Sequence, residues 1–209
     1  MKTLHVVGDS ISMHYGPYLA RYLGPEFNYS RKEGQAGNLD RPEGANGGDS
    51  SMVLDYLREC AATGKWWDVL VLNCGLHDVK RHEGQLQIPA GDYGRNIEQI
   101  FVRTIRSVTD YVIWVRTTPV IDEIHNARIG DFQRFNADIE EYNAIADREV
   151  SLTADWTIDL NGFCRALGGA EMLVDHVHYT EPARQLQGAY IAGCINGFFG
   201  GRWCQRYLS

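Results

Sequence analysis

The chain has 209 residues, 44% of them hydrophobic, and a net charge of −7 from 27 acidic and 20 basic side chains. That length suits a single domain, residues 1–209, with a full core. The acidic balance argues against a nucleic-acid surface, and no stretch approaches the ~18 consecutive apolar residues of a membrane span, so neither nucleic acid nor membrane is an expected partner.

No basic segment and apolar run precede the first apolar stretch, so no signal peptide is read and a cytoplasmic location is expected. The five cysteines, Cys60, Cys74, Cys164, Cys194 and Cys204, form no C-x-x-C pair. In a cytoplasmic chain they read as buried or idle thiols. Cys74 ends an apolar run and could act as a nucleophile, but it reads better as core filler.

Leu4-His5-Val6-Val7-Gly8 is a short apolar run that reads as a first, buried strand. Asp9-Ser10 follows and feeds a helix carrying Met13, Tyr15, Leu19, Tyr22 and Leu23. Glu26 to Lys32 reads as a short strand, and residues 33–48, rich in Gly, Asn, Asp and Pro, as a long loop. Asp49-Ser50-Ser51 opens a helix that ends near Gly64. Trp67 to Cys74 is nearly continuous apolar, which marks a strand buried on both faces. A loop runs from Gly75 to about Gly94. Ile97, Ile100, Phe101, Ile105 and Val108 form a helical stripe. Tyr111 to Val115 is another buried strand, ending at Arg116-Thr117-Thr118-Pro119. A third loop, a helix from about Phe135 to Val150, a short fifth strand from Trp156 to Leu160 and an irregular stretch to Thr180 follow. Pro182 to Phe199 reads as a closing helix.

Strands alternating with helices predict right-handed β-α-β units and a mostly parallel five-stranded sheet covered on both faces. Ligands bind such sheets outside the carboxyl ends of the strands. That rule singles out Ser10, the 33–48 loop, Asn73 to Asp78, and Arg116 to Pro119. No segment matches a phosphate-binding loop or a dinucleotide fingerprint, and no internal repeat is found.

Ser10 admits two readings. It can cap the helix that follows, or it can present a nucleophilic hydroxyl at the sheet edge with its own N–H near a helix N-terminus. Near the other end, Asp175-x-x-His178 can place a carboxylate and an imidazole on one side of a turn, the orienter and base of a triad. His176 would then point elsewhere, as a surface or packing histidine. Asn46-Gly47-Gly48-Asp49-Ser50 precedes a helix, so the Gly48 N–H can face bound negative charge, or the stretch is only a turn with Asp49 or Ser50 as cap. Gly75-Leu76-His77-Asp78 follows the central strand, and His77 is either a polar donor facing the same crevice or a solvated turn residue.

Taken in order, Gly8-Asp9-Ser10, the Gly48 loop, Gly75-Leu76-His77-Asp78 and Asp175-x-x-His178 resemble the blocks of the SGNH (GDSL-type) hydrolase family. The resemblance spans nearly the whole chain. It implies a three-layer α/β/α, flavodoxin-like fold, no metal and no cofactor, and hydrolysis of esters or thioesters by a serine nucleophile. Carried over residue by residue, it implies Ser10 as nucleophile and one oxyanion donor, Gly48 as a second donor, His178 as base and Asp175 as its orienter. Gly37 is a rival for Gly48, which fits better because a helix follows it directly. The family's third block usually reads Gly-x-Asn-Asp, and His77 stands where its Asn donates to the oxyanion. The chain resembles a bacterial subgroup with Gly-Leu-His-Asp after a Trp-Asp-Val strand and a later Thr-Thr-Pro-Val stretch, here Thr117 to Val120.

The expected substrates are small acyl esters, acetyl above all, on a small molecule or a carbohydrate. An acyl-CoA thioesterase or a lysophospholipase could use the same residues. Loop residues Arg81, His82, Arg95, Arg116, His125 and Arg128 could bind a carboxylate or phosphate on the substrate, but each reads better as an ordinary loop charge. Two other classes compete. A metal-dependent hydrolase could use His77, Asp78, Asp175, His176 and His178, but that leaves Gly8-Asp9-Ser10 and Gly48 unexplained. A non-catalytic binding domain would not need Ser10, Asp175 and His178 intact.

Overall fold

Three strands are apolar along most of their length, and they form the middle of the sheet. These are β1 (Lys2–Val7), β3 (Trp67–Leu72) and β6 (Thr109–Val115). Burial on both faces is what such continuous apolar runs require, and Val69 to Leu72 and Val112 to Val115 are at most 1% exposed. The computed structural model describes residues 1–206, with side chains to residue 200, so Cys204 lies outside the described side chains.

The shorter strands β2 (Phe27–Arg31) and β7 (Trp156–Ile158) close the two edges. The order is β2-β1-β3-β6-β7, with every neighbouring pair parallel. This is the doubly wound arrangement, whose strand order reverses between β1 and β3. Chains leaving those two strands diverge to opposite faces and open a crevice at their carboxyl ends.

Helices cover both faces. On one, α1 (Ser10–Tyr22) packs on the long α7 (Glu181–Arg206), with α6 (Leu160–Leu167) against α7. Their approach is close at Gly188, where a Cβ would sit 2.5 Å from the Tyr18 Cβ and 2.8 Å from the Leu19 nitrogen. On the other face, α2 (Ser50–Ala62), α3 (Ala90–Glu98) and α5 (Asn136–Val150) pack on one another. The stripe Ile97 to Val108 is helical throughout but changes pitch, passing from α3 into a π-helical turn (Gln99–Thr104) and a 3-10 turn (Ile105–Ser107).

Three stretches read as irregular contain short elements. The loop after β3 holds a two-stranded hairpin, β4 (Arg81–His82) and β5 (Gln85–Leu86), and α3 begins before Gly94. The third loop holds α4 (Asp122–Arg128). The stretch before Thr180 holds α6 and a 3-10 turn (Ala170–Met172). Each is too short to establish a hydrophobic period, so tertiary contacts decide it.

Candidate active site

Asp9, rather than Ser10, caps α1. Its Oδ1 accepts from the N–H groups of Ile11 (2.9 Å) and Ser12 (3.4 Å). Ser10 is thereby the first helical residue, with no capping duty. Its own N–H is one of the orphan donors of a helix start and has no acceptor among the described residues. Ser10 is 3% exposed, at the carboxyl end of β1.

The far end of the chain comes to meet it. His178 Nε2 lies 2.9 Å from Ser10 Oγ, and His178 Nδ1 lies 2.7 Å from Asp175 Oδ2. The second carboxylate oxygen, Oδ1, accepts from the N–H groups of Val177 (2.9 Å) and His178 (2.8 Å). Partial burial works against the charge of Asp175, but these N–H bonds and the imidazole outweigh it and hold the carboxyl below its usual range. An ionised carboxylate can only accept, so Nδ1 carries the ring proton and Nε2 is free to accept from the Ser10 hydroxyl. Arg128 Nη1 donates to the Asp175 carbonyl at 2.9 Å and steadies the turn from outside.

His176 turns away from Ser10, as its place in the turn requires. It is buried, with Nε2 3.2 Å from Asp40 Oδ2 and Nδ1 3.0 Å from His125 Nδ1. Asp175, His176 and His178 bring ligand atoms within 4.8 Å of one another. Those atoms are already spent on Asp40, His125, Ser10 and each other. Asp78, the other carboxylate of a metal set, accepts instead from the Ser50 N–H at 2.9 Å.

The second-block glycine reaches the same edge. The N–H of Gly47 donates to the Gly8 carbonyl at 2.9 Å, tying the loop to the Ser10 turn. Gly48 is buried with φ +77°, and a Cβ there would meet Met52 Sδ at 2.6 Å and Pro42 Cβ at 2.8 Å. Its N–H, however, donates to Asn46 Oδ1 at 3.0 Å within the loop. To serve an oxyanion it must share or leave that acceptor. Gly37 lies exposed in open space. The helix after Gly48 is capped by Asp49, whose Oδ1 accepts from Ser51 and Met52.

His77 is not a solvated turn residue. It is 1% exposed, and its Nδ1 is buried with no hydrogen-bond partner among the described residues. Burial, with the charges of Lys80 and Arg134, drives its pKa well below the usual imidazole value, so the ring is neutral. Asp78 does not fix its tautomer, because Ser50 takes that carboxylate; burial raises the Asp78 pKa to about 7. The loop itself is firmly held. Asn73 Nδ2 donates to the Val115 carbonyl (2.8 Å), Thr117 Oγ1 donates to the Cys74 carbonyl (3.1 Å), and Asn143 takes both the N–H and the carbonyl of Thr117 at 2.9 Å. The buried Thr117 thus clamps the ends of β3 and β6.

Of the loop residues considered for anions, Arg81 pairs with Asp138 at 2.7 Å, Arg95 with Asp92 and Arg116 with Asp147. His82 is exposed and His125 is buried against His176. Two neighbours of the site escaped the sequence reading. His14 meets the His178 ring edge-on at 5.0 Å, with its Nδ1 buried and unpartnered. Its place four residues after Ser10, on the same helix face, was the available signal. Arg134 is 1% exposed and donates from Nε to the Leu76 carbonyl at 2.7 Å; nothing in its local sequence marks it. Cys74 is fully enclosed, and burial pushes its thiol well above the usual range, so it is core filler.

No protein-family model matches the chain, and no curated protein matches it. Solved structures do. A lipase/acylhydrolase from Enterococcus faecalis superposes with a TM-score of 0.68 at 18% identity, over 94% of this chain and 96% of the other. The aryl esterase of M. smegmatis does so with 0.63 at 16%, over 95% and 100%. A carbohydrate acetylesterase from Sinorhizobium meliloti gives 0.60 at 15%, over 94% and 99%. At these identities the likeness is one of fold: the three-layer α/β/α arrangement expected from the sequence is the one these esterases and lipases share.

Proposed function

We propose that this chain is an SGNH-type serine esterase that cleaves small acyl esters, acetyl above all, through a Ser10–His178–Asp175 triad. The observation that carries the reading is the continuous relay from Asp175 Oδ2 through His178 to Ser10 Oγ, at 2.7 and 2.9 Å. These three residues are drawn from opposite ends of the sequence to the switch point of the sheet.

In the forward step Ser10 Oγ attacks the acyl carbon while its proton passes to His178 Nε2. The imidazolium so formed faces the Asp175 carboxylate. The carbonyl oxygen becomes an oxyanion, received by the Ser10 N–H and by His77. The Gly48 N–H joins them if it turns from Asn46. His178 then gives its proton to the leaving alcohol, which departs and leaves an acyl-Ser10 ester. Water enters, loses a proton to His178 and attacks the acyl carbon; the second collapse returns the proton to Ser10 Oγ and releases the acid. His77 in place of an asparagine is the larger donor, which narrows the crevice and favours a short acyl group. The carbohydrate acetylesterase among the structural neighbours supports the same preference.

The test is a panel of chromogenic acyl esters of rising chain length, beside acetylated sugars and acyl-CoAs. Turnover highest on acetyl esters and unchanged by a chelator is expected. Activity that climbs with chain length, or is confined to thioesters, overturns the acetyl preference, and activity abolished by the chelator overturns the metal-free triad.

A further inference from the structure

One imidazole away from the triad stands a charged cluster that the acyl-transfer steps leave unused. Arg134 spends its Nε–H on the Leu76 carbonyl, while Nη1 is buried with no partner and Nη2 makes no hydrogen bond among the described residues. Lys80, 5% exposed, gives its ammonium to one acceptor, the Asp40 carbonyl. Both cations lie over the Phe132 ring, Lys80 Nζ at 4.5 Å and Arg134 Cζ at 4.8 Å from its centre. Buried guanidinium and ammonium groups are ordinarily paired, because each costs several kcal/mol to desolvate. An unsatisfied buried donor calls for an ion, a water or a ligand.

The cluster's counter-charge is incomplete. No carboxylate is salt-bridged to either cation among the described residues: Asp40 points to His176 Nε2, and Asp49 and Asp9 act on Lys80 and Arg134 only through space. Burial lowers Lys80 to about 8 and Arg134 to about 10, so both remain cationic at neutral pH. His77 and His125 are kept neutral by burial. Each cation therefore keeps N–H donors free for an anion, and in a buried site a monoanion costs less to desolvate than a phosphate dianion. The position is also right. The His176 ring, on Asp40, is 5.9 Å from the His178 ring, and the Arg134 charge acts on both Asp9, next to Ser10, and His77.

We infer that Arg134 and Lys80 seat a carboxylate carried by the substrate a few bonds from the reacting carbonyl, so that an acyl chain ending in a carboxylate is taken beside acetyl and ahead of a neutral chain of the same length. This rests on the esterase reading of the same site. The carboxylate displaces the local hold of Asp40 on Lys80, docks against the unpaired guanidinium N–H groups and fixes the ester carbonyl over Ser10.

The test compares an aryl hemisuccinate with the neutral aryl pentanoate, whose acyl chain has the same length, and both with an aryl ester carrying a phosphate. The wild type should favour the hemisuccinate in kcat/KM. Lys80→Met should cut the hemisuccinate-to-pentanoate ratio by roughly tenfold to a hundredfold, the usual effect of removing a buried charge-assisted contact. Lys80→Arg should keep the preference, and Asp40→Asn should raise it. Equal kcat/KM for hemisuccinate and pentanoate, a ratio unmoved in Lys80→Met because both esters suffer alike, or a larger gain from the phosphate overturns the carboxylate seat. A binding arm separates this failure from that of the esterase reading. Succinamate, a carboxylate amide that carries no ester, is titrated into the Ser10→Ala protein by NMR. Binding that Lys80→Met weakens supports the seat even if no ester is turned over; no binding contradicts it even if the pentanoate is hydrolysed.

Discussion

Two sides of the same crevice treat their polar atoms differently. On the Asp175–His178 side the key contacts are filled: both Asp175 oxygens accept, and both His178 nitrogens are engaged. On the His77–Arg134 side, an equally buried imidazole and guanidinium keep ring and Nη atoms without partners. A filled network holds one geometry, which is what an orienter and a base need. An unfilled one costs about 1–3 kcal/mol per buried group, and it persists next to a nucleophile when a reacting molecule supplies the missing partners. Under the proposed mechanism, the comparison separates residues that set the geometry from residues that would receive the substrate.

The largest expected effect breaks the filled side. Ser10→Ala or His178→Ala should lower kcat by roughly three to six orders of magnitude, with Tm little changed, since each truncation removes a member of one unit. Steady-state kinetics on a chromogenic acetate ester and a thermal melt measure both. A residual loss of less than tenfold would show that the relay is structural.

The unfilled side should respond less and in a different parameter. His77→Ala should lower kcat by roughly 10²–10³ with KM nearly unchanged, because its bond forms mainly in the transition state. His77→Asn should recover part of the loss by restoring a neutral donor. A raised KM with kcat intact would make His77 a ground-state binder.

The loop that supports the crevice should respond in stability. Gly48→Ala places a Cβ at φ +77° against Met52 and Pro42. It should cost about 1–3 kcal/mol, read as a lower denaturant midpoint. An unchanged midpoint would mean that the loop yields easily and that Gly48 is not held in place.

The sheet was legible in the sequence because its central strands are apolar on both faces, and Val69 to Leu72 has no other reading. The i,i+3 spacing of Asp175 and His178 allowed them to pair, but spacing left Ser10 a cap or a nucleophile, and its link to them came only through the family resemblance. Hairpin β4–β5, α4 and α6 were not legible, since each is two to eight residues long and owes its shape to packing. The sequence allows Ser10 as the cap of α1 because Asp and Ser cap equally well, and only the hydrogen bonds give the cap to Asp9. Arg134 carries no local signal. Its importance comes from burial beside a loop 58 positions away, which no window of sequence contains.

The smallest effect concerns pH. Burial lowers His5 and His14 to about 4 and His125 to about 3. Each is neutral when folded but protonates in the unfolded chain below about 6.5, so its contribution is complete above that pH and is lost as pH falls toward 4. His5 is held between Ser30 (2.9 Å) and Tyr56 (3.1 Å), stacked on Trp67, so His5→Gln should destabilise at pH 7.5. At pH 5 the gap to wild type should narrow by about 2 kcal/mol, since one pKa unit is worth ~1.4 kcal/mol. Denaturant melts at the two values measure it. A gap that stays constant would mean that His5 titrates as it does in the unfolded chain.

The central claim is that Ser10 is an activated nucleophile. Incubate the protein with a fluorophosphonate, which esterifies a serine only where a base and an oxyanion site assist, and map the adduct by mass spectrometry. One phosphonyl group on Ser10, absent from Ser10→Ala and strongly slowed in His178→Ala, is the result predicted. An unmodified Ser10, or an adduct on Cys74 or another residue instead, would contradict it.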